Sequence, residues 1–203
     1  MASVAIPEIE TARLLLRGAD STDVAPLAAF IADPAFTRYI PKTTTVRTSQ
    51  ERAERLIGVY QARWEGQPYS AVGWSVVRKA DGQFIGLVGV ENDPDIEGAE
   101  IDYRIGPPYF GQGYATEAAR TALRYVIEQT DWDPLVAYVV RENAASVRVI
   151  ERLGFAYTRD VNYLAMAGNP PNLVFDYTMV AGYALPRARY TRDDAPYRIV
   201  EQR

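Results

Sequence analysis

The chain has 203 residues, 48% of them hydrophobic and 24% charged, the balance of one soluble domain that builds its own core. It contains no cysteine and no histidine, which excludes thiol nucleophiles, disulfides, Cys/His metal clusters, imidazole bases and Ser-His-Asp triads. The formal net charge is -4, and the only lysines are Lys42 and Lys79, so no concentrated basic face for nucleic acid is expected. No run of about 18 apolar residues occurs, and the opening M-A-S-V-A-I-P-E-I-E lacks the pattern of a signal peptide. A cytoplasmic protein, with no metal and no membrane partner, is the expectation.

In chain order, residues 11–17 (T-A-R-L-L-L-R) predict a first strand. Asp20 or Ser21 then caps a helix with Val24, Leu27, Ala28 and Ile31 on one face, stopped by Asp33-Pro34. Thr48 and Glu51 form a T-x-x-E capping box, and Ala53, Leu56, Ile57, Tyr60 and Trp64 recur along a second helix. From Tyr69 the period falls to two. Residues 70–78 and 83–90 predict a hairpin across Asp81-Gly82, and 99–105 (A-E-I-D-Y-R-I) a third strand, with Ile101, Tyr103 and Ile105 on one face and Glu100, Asp102 and Arg104 on the other. A Gly-rich turn, a helix over 114–129, a strand over 135–140, a helix over 144–153 and a last hairpin around G-N-P-P-N follow. The order β-α-α-β-β-β-α-β-α-β-β predicts an α/β domain with a mixed sheet. Residues 1–180 are assigned to it and 181–203 to a C-terminal extension, packed on the domain or at a partner contact. In that tail Tyr183, Tyr190 and Tyr197 are spaced seven apart, but Pro186 and Pro196 interrupt any helix.

Two stretches carry chemical information. Residues 106–117, G-P-P-Y-F-G-Q-G-Y-A-T-E, join a strand to an Ala-rich helix. A turn that opens a helix aims unpaired N–H groups and the positive helix end at one spot, which suits phosphate. No lysine stands there for a P-loop, and Thr116 replaces the third glycine of a Rossmann fingerprint. That leaves the pyrophosphate of coenzyme A, or an ordinary strand-helix turn. Residues 143–155, N-A-A-S-V-R-V-I-E-R-L-G-F, place an N-capping Asn143 three residues before Ser146 and close on Gly154. Taken alone, this is a well-capped helix.

Together with the opening I-E-T-A-R-L-L-L-R-G-A-D-S-T-D, these segments resemble the GNAT N-acetyltransferase superfamily, closest to its Rim-type branch of ribosomal-protein N-terminal acetyltransferases, over about residues 8–180. The resemblance implies a mixed, mostly antiparallel sheet split in a V with helices on both faces. Acetyl-CoA would lie between strands 99–105 and 135–140, and acetyl would pass directly to a primary amine in a ternary complex. It also implies that the amides of Gly111, Gln112, Gly113, Tyr114 and Ala115, with Thr116 beside them, hold the pyrophosphate. Tyr103 and Ile105 would line the cofactor side of the strand, and Asn143 would meet the pantetheine arm. Phe110 occupies the loop position that is usually Gln or Arg.

The family's usual acidic Tyr would fall at Ile150, so that acid is absent. Ser146 matches the hydroxyl of Rim-type enzymes near the sulfur, and Glu100 the acidic residue of the same strand, the candidate base directly or through water. Asp102 stands where relatives carry Gly and is the other carboxylate to consider. Tyr39, in the segment from Phe36 that overhangs the acceptor channel in relatives, and Trp74 are candidate substrate-wall residues. The acidic run 91–102 either attracts a protonated amine or is a solvated loop. The acceptor is a peptide N-terminus or a small amine, and the protein is a monomer or homodimer. Besides the enzyme, the alternatives are a non-catalytic acyl-CoA-binding or sensing module of the same fold and, more remotely, a nicotinamide-dependent oxidoreductase.

Overall fold

The structure is a computed structural model and describes residues 6–43, 47–65, 70–93, 96–166, 168 and 173–200. Its elements are β1 (Glu8–Glu10), β2 (Leu14–Arg17), α1 (Val24–Ala32), α2 (Pro34–Thr37), β3 (Lys42–Thr43), α3 (Ser49–Ala62), β4 (Ala71–Arg78), β5 (Gln83–Asn92), β6 (Ala99–Ile105), α4 (Tyr114–Gln129), β7 (Leu135–Val139), α5 (Ala144–Arg152), β8 (Ala156–Asn162), α6 (Tyr163–Met166), β9 (Leu173–Val174), β10 (Met179–Leu185) and β11 (Arg198–Val200). Nine strands form one sheet in the order β11-β1-β2-β4-β5-β6-β7-β10-β8, and β3 pairs separately with β9. Among the described residues only the β6–β7 pair of the large sheet is parallel, and its ladder holds two pairs, Ala99↔Leu135 and Glu100↔Val136. Beyond Glu100 the strands diverge, which opens the expected split.

Helices cover both faces. On one, α4 buries Ala118, Ala122, Leu123 and Val126 against Val88, Ile101 and Ile105, at the i, i+4 spacing that makes one helical face. On the other, Leu27 and Ile31 of α1 and Ala53, Ile57 and Tyr60 of α3 close over Phe84 and Leu87. The capping box of α3 forms as its sequence predicts: Thr48 Oγ1 accepts from the Glu51 N–H at 3.1 Å, and the Glu51 carboxylate accepts from the Thr48 N–H at 2.8 Å.

Several expectations need correction. Thr11–Arg13 are not strand: the Thr11 hydroxyl accepts from the Leu14 N–H at 2.9 Å and makes a tight turn, with the three-residue β1 before it. The β4–β5 hairpin closes on four residues, not two, because Arg78 already pairs with Gln83 and Gly82 takes φ 69°. Residues 181–185 are the second half of β10, between β7 and β8, so the extension begins at Pro186 and not at 181. From there Arg187 reaches the Thr130 and Ile127 carbonyls, Tyr197 stacks under Arg124 with 4.0 Å from guanidinium carbon to ring centre, and β11 pairs with β1. The strands flanking the last connection are β8 and β10, and the turn residues Asn169, Pro170, Pro171 and Asn172 lie outside the described residues, as do Tyr69 and Asp95.

Candidate active site

The diverging strands leave a cleft of about 740 Å³ running through the sheet, with walls from β6, β7, the 106–113 loop, α4, α5 and the α2 segment. Because side chains alternate along a strand, β6 presents Tyr103 and Ile105 to the α4 side and Glu100, Asp102 and Arg104 to the α3 side, and both sets line the same cleft.

At one end, Gly111 and Gly113 sit at φ 72° and 81°, left-handed conformations that a side chain resists. Gly113 is the N-cap of α4 and supplies no capping side chain, so the first amides of that helix face the cleft mouth without a side-chain partner. A Cβ on Gly111 would meet no atom within 4 Å, which leaves open space for a bulky anion. Gly111, Gly113, Tyr114, Ala115 and Thr116 line the cleft. Gln112 does not: its side-chain amide donates to the Pro108 carbonyl at 3.0 Å, and its own carbonyl accepts from Arg13 at 2.9 Å. The donor set fits a pyrophosphate, with charge balance added by Arg148 and Arg152 on α5.

Across the cleft, Asn143 caps α5 by accepting the Ser146 N–H at 3.2 Å. The Ser146 hydroxyl is therefore not needed inside the helix, and it lies 2.7 Å from the Tyr103 hydroxyl of β6. Burial pushes Tyr103 up to about 12, against a smaller opposing effect of the Ser146 hydrogen bond. Ile150 is fully buried in the core, so nothing at that position reaches the cleft with a proton.

Glu100 stands at the apex of the split, directly opposite Glu91 on β5 and two residues from Asp102. Burial first, then the charges of Asp102 and Glu91, push its carboxyl up to about 8. Asp102 has the opposite fate. Burial disfavours its charge, but Arg63 and Arg104 nearby and hydrogen bonds from Tyr60 and Arg63 hold it below the usual carboxylate range. Arg63 reaches it at 2.7 Å and Glu91 at 3.2 Å, and the Tyr60 hydroxyl donates to it. Gly73 and Gly89, paired across β4 and β5, make the slot through which these side chains arrive; a Cβ on Gly89 would lie 1.8 Å from the Arg63 guanidinium.

The acidic run is therefore largely matched from outside it: Arg63 serves Glu91 and Asp102, and Arg159 holds Glu97 at 2.8 Å. Tyr39 lines the cleft, donates to the Glu142 carbonyl at 3.2 Å and packs 5.5 Å from Tyr177. Trp74 is not a wall residue. It lies wholly buried beneath α4, edge-on to Trp64 and Tyr125, with its indole N–H donated to the Pro7 carbonyl at 2.8 Å. The sequence reading missed Tyr138, Tyr163 and Phe175, which complete the wall near Glu100. Tyr138 could have been found from the alternation of β7, but α6 and the segment after it carry no period that points inward. Among the described residues there is no group of acidic side chains able to hold a metal ion and no helix long and apolar enough to cross a membrane.

The sequence profile described as "Acetyltransferase (GNAT) domain" matches residues 13–156. The chain is similar to the Uncharacterized N-acetyltransferase p20 of Bacillus licheniformis, 30% identical over 146 residues, covering 71% of this chain and 80% of that protein. Its fold matches an acetyltransferase (GNAT family) from Bacillus anthracis with a TM-score of 0.69 at 21% identity, covering 89% of this chain and 99% of that one. It also matches Mycobacterium smegmatis RimJ in complex with CoA-disulfide, with a TM-score of 0.67 at 16% identity, covering 89% and 90%. A split sheet, an uncapped glycine-flanked helix N-terminus at its mouth and a profile match over well over half the length lead to one conclusion: the chain belongs to the GNAT acetyltransferase family.

Proposed function

We propose that this protein transfers acetyl from acetyl-CoA directly to a primary amine, on a peptide N-terminus or a small molecule, within a ternary complex. The observation that carries the reading is that one strand presents Glu100 to one side of the split and Tyr103, bonded to Ser146, to the other. An amine and a thioester can then meet between a base and a hydroxyl pair. The amides of Gly111, Gly113, Tyr114 and Ala115 and the side chain of Asn143 bind the donor. Acetyl-CoA supplies the activated acyl group. Glu100 takes the amine proton as the N–C bond forms, directly or through water, and the Ser146 hydroxyl hydrogen-bonds the sulfur as the C–S bond breaks. The reading sets the enzyme in the cytoplasm beside its donor, as a monomer or homodimer.

A base near 8 bears on the acceptor. Deprotonating an alkylamine of pKa about 10.4 at pH 7 costs about 4.6 kcal/mol, whereas an α-amine near 8 costs about 1.4. Glu100 is matched to the second. The second reading, a CoA-binding module without catalysis, draws on the buried Ile150 in place of an acid. Free CoA release, measured across N-terminal peptides, polyamines, aminoglycosides and amino acids, separates the two. Turnover that falls in Glu100→Gln and Ser146→Ala with acetyl-CoA affinity kept supports the enzyme, and background release with every amine supports the module.

A further inference from the structure

Three ionisable residues of β6 share the face opposite Tyr103, and they are matched very differently. Asp102 is held by Arg63 and Tyr60. Glu100 has carboxylates as its nearest charged neighbours on β5 and β6. Arg104 lines the cleft half-buried, and among the described residues no carboxylate stands within ion-pair distance of it. Its charge is felt at Glu100, Asp102, Tyr60 and Tyr163, which places it within the site and not at its rim. Arg38, whose guanidinium lies 5.2 Å from the Tyr39 ring centre, adds a second cation on the facing wall.

A guanidinium that gives up part of its hydration without a carboxylate at bonding distance is unfavourable, and its planar fork fits a carboxylate in two parallel hydrogen bonds. Asp102, on the same face of the strand, is already paired with Arg63 at 2.7 Å. The vacancy for an anion is thus on the same face as the base, four residues along the strand.

Resting on the acetyl-transfer reading above, we infer that Arg104 recognises a carboxylate carried by the acceptor, so that the substrate class is a primary amine bearing an acid group on the same molecule. Four residues of strand separate the two Cα atoms by about 13 Å, and side chains leaning toward each other bring amine and acid to within about 5–8 Å. That spacing suits an N-terminal residue followed by an acidic one, whose α-amine is the kind Glu100 is matched to, or a free ω-amino acid, whose alkylamine costs more to deprotonate; an α-amino acid, whose two groups are adjacent, is too short.

The test is calorimetry on the full chain saturated with CoA, with two matched pairs: alanyl-glutamate amide against alanyl-glutamine amide, and 4-aminobutanoate against 4-aminobutanamide. The acid member of one pair is expected to bind about tenfold tighter than its amide, and the pair that shows it distinguishes peptide from small-molecule acceptors. Arg104→Ala should abolish the preference while leaving the amide's affinity in place, and Arg104→Lys should keep part of it. Equal binding within both pairs, or no binding of any of the four, overturns the inference. So does an Arg104→Ala protein that loses acid and amide alike, since that is what a purely structural support of Asp102 would give. Acetyl transfer to the same compounds is read separately: preference without transfer keeps Arg104 as a carboxylate site and counts against the enzyme reading, and transfer without preference keeps the enzyme and overturns the inference.

Discussion

The Tyr103 hydroxyl of β6 lies 2.7 Å from the Ser146 hydroxyl of α5 and bridges two walls of the cleft. With no acid at residue 150, the proposed reaction leaves this pair to meet the departing thiolate. Ser146→Ala should lower kcat by about 100-fold and Tyr103→Phe by about tenfold, with acetyl-CoA affinity changed less than threefold in both. The double variant should be no worse than Ser146→Ala alone, because Tyr103 acts through the serine. Additive losses in a double-mutant cycle would show two independent roles.

As the proposed base, Glu100 should set the pH dependence. With its carboxyl pushed up to about 8, kcat/KM should rise through an ascending limb near pH 8 and level off above it. An acceptor amine of ordinary pKa near 8 gives a limb of its own, so the measurement uses an acceptor whose amine titrates below 7. Glu100→Gln should cost about 100-fold and remove the limb. A limb that survives the substitution assigns it elsewhere.

The same shift has a sign for stability. Glu100 binds its proton more tightly in the folded chain than at the ordinary value of 4.5, so its ionisation opposes folding. The penalty is absent below pH 4.5, grows through the interval up to about 8 and is complete above it. Glu100→Gln should melt with the wild type at pH 4.5 and above it at pH 9, by about 1–3 kcal/mol after allowance for the open cleft. Differential scanning calorimetry at the two pH values decides it; a gap that does not widen with pH contradicts the assignment.

Arg63 holds two carboxylates through a slot made by two glycines. Removing it in Arg63→Ala leaves the half-buried Asp102 without its ion-pair partner and should destabilise the fold by about 1–3 kcal/mol. Gly89→Ala should cost about 1–3 kcal/mol, because the new Cβ meets both Arg63 and the Val72 carbonyl. Gly58→Ala, with nothing within 4 Å of the added atom, is the control and should be neutral or slightly stabilising in chemical denaturation.

Gly113→Ala probes the loop. At φ 81° a side chain is strained, and the cap that aims the first amides of α4 would shift. The KM for acetyl-CoA should rise about tenfold while the acceptor KM stays put.

The parts of this architecture that could be read in advance are those whose local chemistry and global packing agree. Helix α4 begins and ends at the residues its pattern indicates, and the Thr48–Glu51 box starts α3 where the capping rule places it. What escaped is long-range. Nothing near Asp102 in the chain announces Arg63 and Tyr60, which arrive from 39 and 42 residues away through a gap defined by Gly73 and Gly89. Trp74 has the composition of a binding-site wall and the surroundings of a core residue, a distinction that only the position of α4 can make. The three-residue β1 and β11 are too short for any period to reveal: β1 lies between β2 and β11, and β11 pairs with β1.

The two-rung junction of β6 and β7 also bears on how the channel can change width. Two leaves of sheet joined at Ala99–Leu135 and Glu100–Val136 behave as a hinge with its pin beside the base. Rotation about that pin alters the aperture at the loop end most and at Glu100 least, and it breaks no rung of the ladder. On the proposed reading, acceptors of different girth would be admitted by loosening the Tyr103–Ser146 contact, with the distance from Glu100 to the amine nitrogen changing least.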